Sequence, residues 1–101
     1  MFHFGLATSD ETAVELAARL RAHRLLQNLQ QSELAARAGI SRKTLTTFEH
    51  SGKVSLDVFL RIVAALGLSE SLSPLFEPRQ KSIRDMELAA QQRQRASRKR
   101  K

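Results

Sequence analysis

The sequence contains no cysteine, tryptophan or tyrosine, and it has only two prolines and four glycines among 101 residues. Without cysteine, neither a disulfide framework nor a thiolate metal site can form, which fits a reducing cytoplasm. No apolar run approaches the roughly 20 residues that a membrane span needs. The residues from Met1 to Gly5 lack the basic start and the long apolar stretch of a signal peptide. We therefore expect a cytoplasmic protein. We also expect a single domain, because a chain of this length can bury a sufficient core by itself.

Signatures of an enzyme or of a cofactor site are also missing. The three histidines, His3, His23 and His50, are not spaced as metal ligands. No glycine-flanked nucleophile turn accompanies the serines, and no glycine-rich loop is present to cradle a phosphate. We expect a protein without enzymatic activity and without a cofactor. His23 is expected to be packed on an inner or boundary face, whereas His50 is equally compatible with a phosphate contact and with simple solvation.

The formal net charge of +7 is confined to one end of the chain. Residues 1–78 contain eight basic and eight acidic side chains, whereas residues 79–101 contain nine basic and two acidic ones. A neutral domain with a basic C-terminal arm suggests a polyanionic partner. A solvated, disordered end that only improves solubility explains the same charge equally well.

The first nine residues are expected to form an N-terminal arm. Their apolar side chains Phe2, Phe4 and Leu6 alternate with the period of a β-strand. Thr8 and Glu11 then have the spacing of a capping box, which predicts a helix over residues 10–27 that ends at Asn28 in left-handed geometry. Its buried stripe is predicted to consist of Val14, Ala17, Ala18, Leu20 and Leu25.

Serine N-caps and helix-ending glycines predict further helices and an all-α fold. The expected spans are Gln31–Ala38, Arg42–Ser51, Leu56–Leu66 and a short fifth helix, Ser69–Phe76. The side chains expected to face the core are Leu34, Ala35, Ala38, Ile40, Leu45, Phe48, Leu56, Phe59, Leu60, Val63 and Leu66. The domain is expected to span residues 10–77, and a basic tail to follow over residues 78–101. In the tail, Ser82 is a candidate cap for a helix over residues 83–95, whose apolar stripe of Ile83, Met86 and Ala90 is thin.

The segment from Gln31 to Ser51 has the pattern of a helix-turn-helix, with two helices joined by a turn that contains Gly39. Leu45 and Phe48 define the inner face of the second of these helices. At 100° per residue the outer face and its flanks carry side chains that can donate hydrogen bonds. These are Arg42, Lys43, Thr44, Thr46, Thr47 and His50. A major groove admits one such helix, so we expect DNA binding, the alternative being an ordinary solvated helix face.

Residues 20–75 resemble the phage repressor/Cro-like, or Xre-family, helix-turn-helix domain of five helices. The matching motifs are Leu29–Ala35, Ala38–Ser41, Thr44–Leu45, Phe48–Glu49, Ser55–Leu56 and Ala65–Gly67. The resemblance implies that Gln31 contacts phosphate and braces the recognition helix, while Arg42, Lys43 and Thr47 read base edges. It implies that Thr44 and Lys53 hold the DNA backbone and that Arg24 pairs with Glu49. The candidate DNA-binding residues are Gln31, Ser41, Arg42, Lys43, Thr44, Thr46, Thr47 and Lys53.

A narrower resemblance concerns residues 48–56, the Ala65–Leu68 segment and the basic tail after Pro78, which look like HipB-type antitoxins. Those proteins bind their own operator as dimers and hold a HipA-like serine/threonine kinase toxin. The resemblance implies a homodimer on a palindromic operator of double-stranded DNA and a kinase partner. The candidate dimer surface is the fifth helix, with Leu72, Leu75 and Phe76. The alternative is a stand-alone Xre-family transcriptional repressor with no toxin partner.

Overall fold

A computed structural model describes residues 1–78 and 83–99, and in these residues all regular structure is helical. Five α-helices form: α1 (Ser9–Leu26), α2 (Gln31–Ala38), α3 (Arg42–Ser51), α4 (Leu56–Ala65) and α5 (Ile83–Lys99). Two 3₁₀ turns, Phe4–Leu6 and Ser69–Leu72, precede α1 and follow α4. In the packed part, α3 lies against α1 and α2, and α2 lies against α4. The predicted all-α fold is confirmed.

The ends of α1 follow from local hydrogen bonds. The Glu11 backbone N–H donates to the Thr8 hydroxyl at 3.1 Å, and the Thr8 backbone N–H donates to Glu11 Oε1 at 2.9 Å. This reciprocal pair is the predicted capping box. Hydrogen bonding to Thr8 holds the pKa of Glu11 below its usual value; the backbone of Thr8 contributes most to this shift and its side chain contributes less. At the other end Asn28 has φ 57°, the expected left-handed geometry.

The N-terminal arm does not form a strand, although its apolar side chains alternate with a strand period. Residues 4–6 make a 3₁₀ turn instead, because alternation alone supplies no neighbouring strand to pair the backbone. The rings of Phe2 and Phe4 meet edge to face with centroids 4.7 Å apart. The Arg19 guanidinium lies 4.9 Å from the Phe4 centroid, so this cluster attaches the arm to α1.

The predicted buried stripe of α1 is rotated from the observed one. Val14, Ala18 and Leu25 are exposed, and so is His23, which was expected on an inner or boundary face. The side that meets α3 contains Ala17, fully buried, and Arg24, seven residues later. Ala17 and Leu20 of the predicted stripe do lie in or against the core. The prediction is therefore correct in part, and it misses the buried arginine because a hydrophobicity pattern places arginine outside.

The predicted apolar stripe of α4 is correct at three of its five positions and wrong at the other two. Leu56 and Leu60 are exposed, whereas Ile62, which the prediction omitted, is fully buried. The i, i+3, i+4, i+7 spacing fits when it starts at Phe59 rather than at Leu56, because Phe59, and not Leu56, packs against the core in the first turn of α4. The buried cluster consists of Ala17, Leu29, Leu34, Ala35, Ala38, Leu45, Phe48, Ile62 and Leu66.

The two segments after α4 differ in length from the prediction. The fifth helix of the domain is only the 3₁₀ turn Ser69–Leu72, since Pro74 has no backbone N–H to continue it. In the tail, α5 extends to Lys99 instead of ending near Arg95, because alanine, arginine and lysine favour helix. The candidate cap Ser82 lies outside the described residues.

A buried ion pair joins α1 to α3. Arg24 Nε lies 2.7 Å from Glu49 Oε2, and Arg24 Nη2 lies 3.0 Å from Glu49 Oε1. The side chains are only 8% and 5% exposed. Arg24 Nη1 also donates to the Leu29 carbonyl at 2.8 Å. One arginine therefore holds α3 and the α1–α2 connection in a fixed relation to α1.

The loop after α3 passes very close to α1. Gly52 ends α3 with φ 75°, and a Cβ added to it would overlap the backbone of Ala13 in α1. Only glycine accepts both the left-handed backbone and this contact. Gly67, after α4, has the same φ of 75° but no atom within 4 Å of such a Cβ.

Replacing Glu49 by alanine is expected to lower the free energy of unfolding by about 3–5 kcal/mol, because Arg24 then stays buried without its counter-charge. DNA binding should fall with it, since α3 loses its link to α1. Urea denaturation measures the first effect. Glu15→Ala is the control: it removes an i, i+4 partner of Arg19 and should cost about 0.3–0.5 kcal/mol. Equal losses in the two variants would contradict the structural role of the pair.

Replacing Gly67 by alanine is expected to destabilise the protein by about 1–2 kcal/mol, the strain of a left-handed non-glycine residue. Gly52→Ala should cost more by a further 1–3 kcal/mol or so, because the added methyl group also overpacks against the Ala13 backbone. Thermal or urea unfolding of the two variants separates strain from overlap. If Gly52→Ala were no worse than Gly67→Ala, the close approach of loop and α1 would be refuted.

Candidate nucleic-acid interface

The two sides of α3 differ completely in burial. Leu45 and Phe48 are buried in the core, and the Phe48 ring lies 6.0 Å from the Phe59 ring of α4. The side chains that the sequence assigned to the outer face are exposed, except for the half-buried Thr44. The exposed ones are Arg42, Lys43, Thr46, Thr47 and His50. Apolar anchoring on one side thus presents two cations and several hydroxyl or imidazole groups on the other.

The N-terminus of α3 is organised by two hydroxyl groups. Ser41 Oγ accepts a hydrogen bond from the Thr44 backbone N–H at 3.0 Å, and it lies 2.8 Å from Thr44 Oγ1. Gly39 makes the preceding turn with φ 69°, and Ile40 packs against the core. Ser41 is therefore the N-cap of α3 and is bonded to Thr44, and each of the two hydroxyls keeps lone pairs or a proton for a further partner.

Gln31 connects the outer face of α3 to the buried ion pair. Its Nε2 donates to Glu49 Oε1 at 2.9 Å, and its Oε1 lies 3.2 Å from Thr46 Oγ1. The Thr46 hydroxyl also lies 2.9 Å from the Arg42 carbonyl, so its single proton is shared between two acceptors. Gln31, at the start of α2, thus binds two successive turns of α3.

Lys53 stands apart from the other candidates, in the loop that follows α3. Ser51 Oγ donates to the Thr47 carbonyl at 2.8 Å and accepts from the Lys53 backbone N–H at 3.2 Å. These bonds fix the backbone at Lys53 while its side chain is exposed. The structure therefore brings Gln31, the cap residue Ser41 and the five α3 candidates together along the first two turns of α3 and holds Lys53 beyond its C-terminus.

Arg21 lies beside this site but is absent from the residues that the sequence predicted for it. This residue lies three positions before Arg24 on α1, and its Nε is 4.0 Å from Glu49 Oε1. The i, i+3 spacing from Arg24, the arginine already expected to pair with Glu49, was the signal that would have placed it there. Glu49 is consequently surrounded by two arginines and one glutamine.

Other kinds of site find no support in the part of the chain that the structure describes. Its His, Asp and Glu side chains form no group of three or more that could hold a metal ion. Over the same residues, no helix combines the length and the apolar character needed to cross a bilayer. An open groove of about 390 Å³ beside α1, lined by Phe2, Val14 and Ala18 among others, has no converging cationic or hydroxyl groups.

Comparison with known proteins agrees with this geometry. The sequence model of a helix-turn-helix family matches residues 20–72, which contain α2, α3 and the turn between them. A search of curated proteins found no significant match to the chain. Because the matched segment covers more than half of the sequence and contains the whole surface described above, the chain belongs to the Xre/Cro-like helix-turn-helix family of sequence-specific DNA-binding regulators.

Proposed function

We propose that the chain is a dimeric repressor that binds a palindromic operator with α3 in the major groove. The exposed, hydrogen-bonding face of α3, fixed from behind by Leu45, Phe48 and the Arg24–Glu49 pair, carries this proposal. A helix held so firmly presents its side chains to DNA at little entropic cost. The proposed DNA contacts are Gln31, Ser41, Arg42, Lys43, Thr44, Thr46, Thr47 and Lys53.

The candidates divide into two roles by their position. Arg42 and Lys43 lie in the first turn of α3 and Thr47 lies one turn later; these three are assigned to base edges, where arginine and lysine favour guanine O6 and N7. The remaining candidates are assigned to the sugar–phosphate backbone, which positions the protein without reading sequence. Thr46 is the exception, because its bond to Gln31 links the two groups.

A single recognition helix contacts too few bases to specify an operator by itself, and this is the reason for proposing a dimer. A two-fold dimer doubles the site, with half-sites about 34–36 Å apart. The proposed dimer surface contains Leu72, Leu75 and Phe76. Phe76 is 95% exposed and has φ 56°, so an aromatic side chain stands in solvent on a strained backbone. Such a costly arrangement supports a contact with a second copy.

The test is footprinting and binding on an operator selected from random DNA by the wild-type protein. We expect two protected half-sites one helical turn apart. Arg42→Ala, Lys43→Ala and Thr47→Ala should each weaken operator binding by about 1–3 kcal/mol, because each removes a base contact. Gln31→Ala should weaken binding without a change in base preference.

Arg37→Ala is the matched control, since it removes an exposed cation from α2, outside the proposed base-reading set. A single half-site bound at full affinity would contradict the dimer. Unchanged operator affinity in all three α3 variants would remove the groove assignment of α3.

A second candidate function is that of a HipB-type antitoxin, which silences a HipA-like serine/threonine kinase toxin and represses its own operon. Besides the resemblance of residues 48–56, one observation favours it. Met86 of α5 is about half exposed, and the half-buried Ala90 lies one turn later on the same face. A helix with an apolar side in solvent suits a protein partner. The competing view is a stand-alone repressor whose tail only adds charge.

The antitoxin hypothesis predicts two separable effects in the tail. Truncation after Pro78 should abolish capture of a kinase-like protein encoded beside the gene, and it should make the salt dependence of DNA binding shallower because the cationic residues are lost. The full-length double variant Met86→Gln and Ala90→Gln should lose binding of the kinase but keep the salt dependence. Pull-down and titrations at several salt concentrations measure the two effects. A truncated protein that retains both properties would show that the tail neither binds the kinase nor contributes to the salt dependence of DNA binding.

A further inference from the structure

We infer that Arg21 of α1 is a further DNA-contact residue, whose guanidinium binds a phosphate at the edge of the groove that α3 enters. This inference rests on the proposed operator binding and extends it to a helix outside the helix-turn-helix. It starts from the charges around Glu49. Arg24 and Glu49 neutralise each other in the interior, with side chains 8% and 5% exposed, whereas Arg21 is 57% exposed. The cluster therefore has one positive charge left, and this charge is at the surface.

Glu49 does not hold Arg21 in a hydrogen bond. Both carboxylate oxygens already accept bonds of 2.7–3.0 Å from Arg24 and Gln31. The nearest approach of Arg21 is 4.0 Å and is made by its Nε, so its two Nη groups lie farther from the carboxylate. The attraction orients the side chain while leaving its planar fork available, and that fork matches the geometry of a phosphate.

Three consecutive contacts connect Arg21 to the face of α3. Thr46 meets Gln31 at 3.2 Å, Gln31 meets Glu49 at 2.9 Å, and Glu49 meets Arg21 at 4.0 Å. Together with the length of the Gln31 amide group, these contacts place Arg21 Nε no farther than about 12 Å from Thr46 Oγ1, which is roughly the width of a major groove. When α3 occupies the groove, Arg21 stands where the bordering phosphates run. Gln31, the candidate phosphate contact, shares the same carboxylate oxygen and so lies beside it.

The experiment measures binding of Arg21→Ala in the full-length protein to two duplexes, the selected operator and a scrambled sequence of equal length. We expect about a tenfold loss of affinity on both, the size of one charge-assisted hydrogen bond, and a salt slope lower by about 0.9, which corresponds to one phosphate. Arg21→Lys should restore the slope. Arg19→Ala is the control, because it removes the same charge from an exposed site that instead contacts Glu15 and Phe4.

Two results would overturn the inference. One is an Arg21→Ala protein whose salt slope and affinity match those of Arg19→Ala. The other is a loss on the operator alone, accompanied by a lower melting temperature, because this would mean that Arg21 acts by positioning α3 through Glu49. If the wild-type protein did not prefer the operator, operator recognition would fail, yet the slopes on the scrambled duplex would still decide the role of Arg21.

Discussion

The Arg24–Glu49 ion pair is the interaction on which the orientation of α3, and with it the proposed DNA-binding surface, depends. Packing of Leu45 and Phe48 holds α3 against the core, but apolar contacts are not directional and leave rotation and sliding weakly determined. Two parallel hydrogen bonds between a planar guanidinium and a carboxylate fix both. Because removing charges from water is expensive, such a pair adds little net stability compared with an apolar substitute. Its value lies in the single orientation that it imposes on α3.

The orientation is passed outward through polar side chains. Glu49 accepts from Gln31, and Gln31 meets Thr46, so a chain of hydrogen bonds runs from the interior to the solvent side of α3. The Ser41 cap and the glycine-dependent loop at Gly52 fix the two ends of the same helix. A recognition helix positioned in this way loses little freedom on binding, which leaves more of the contact free energy for discrimination between sequences.

Patterns of neighbouring residues predicted most of this domain. The errors concern contacts between residues that are far apart in the sequence. The capping box at Thr8, the cap at Ser41 and the turn at Gly39 depend on neighbouring residues, and their sequence patterns were sufficient. The face of α1 depends on a buried arginine whose partner lies 25 residues away, so an apolar pattern predicts this face only in part. The approach of Gly52 to Ala13 and the position of Arg21 beside Glu49 likewise exist only once α1 and α3 have packed.

The domain and the tail differ in net charge, which governs the sequence-independent attraction of a protein to DNA. Residues 1–78 have no net charge, and pairs such as Glu15–Arg19 and Asp57–Arg61 balance cations locally. A neutral domain gains little from non-specific attraction to DNA, most of which comes from neutralised phosphates. Its affinity must then come from a few cations held in fixed places, which makes binding sensitive to fit. The net positive charge of the chain lies instead in the tail, so any charge-driven, sequence-independent attraction to DNA would come from a segment other than α3.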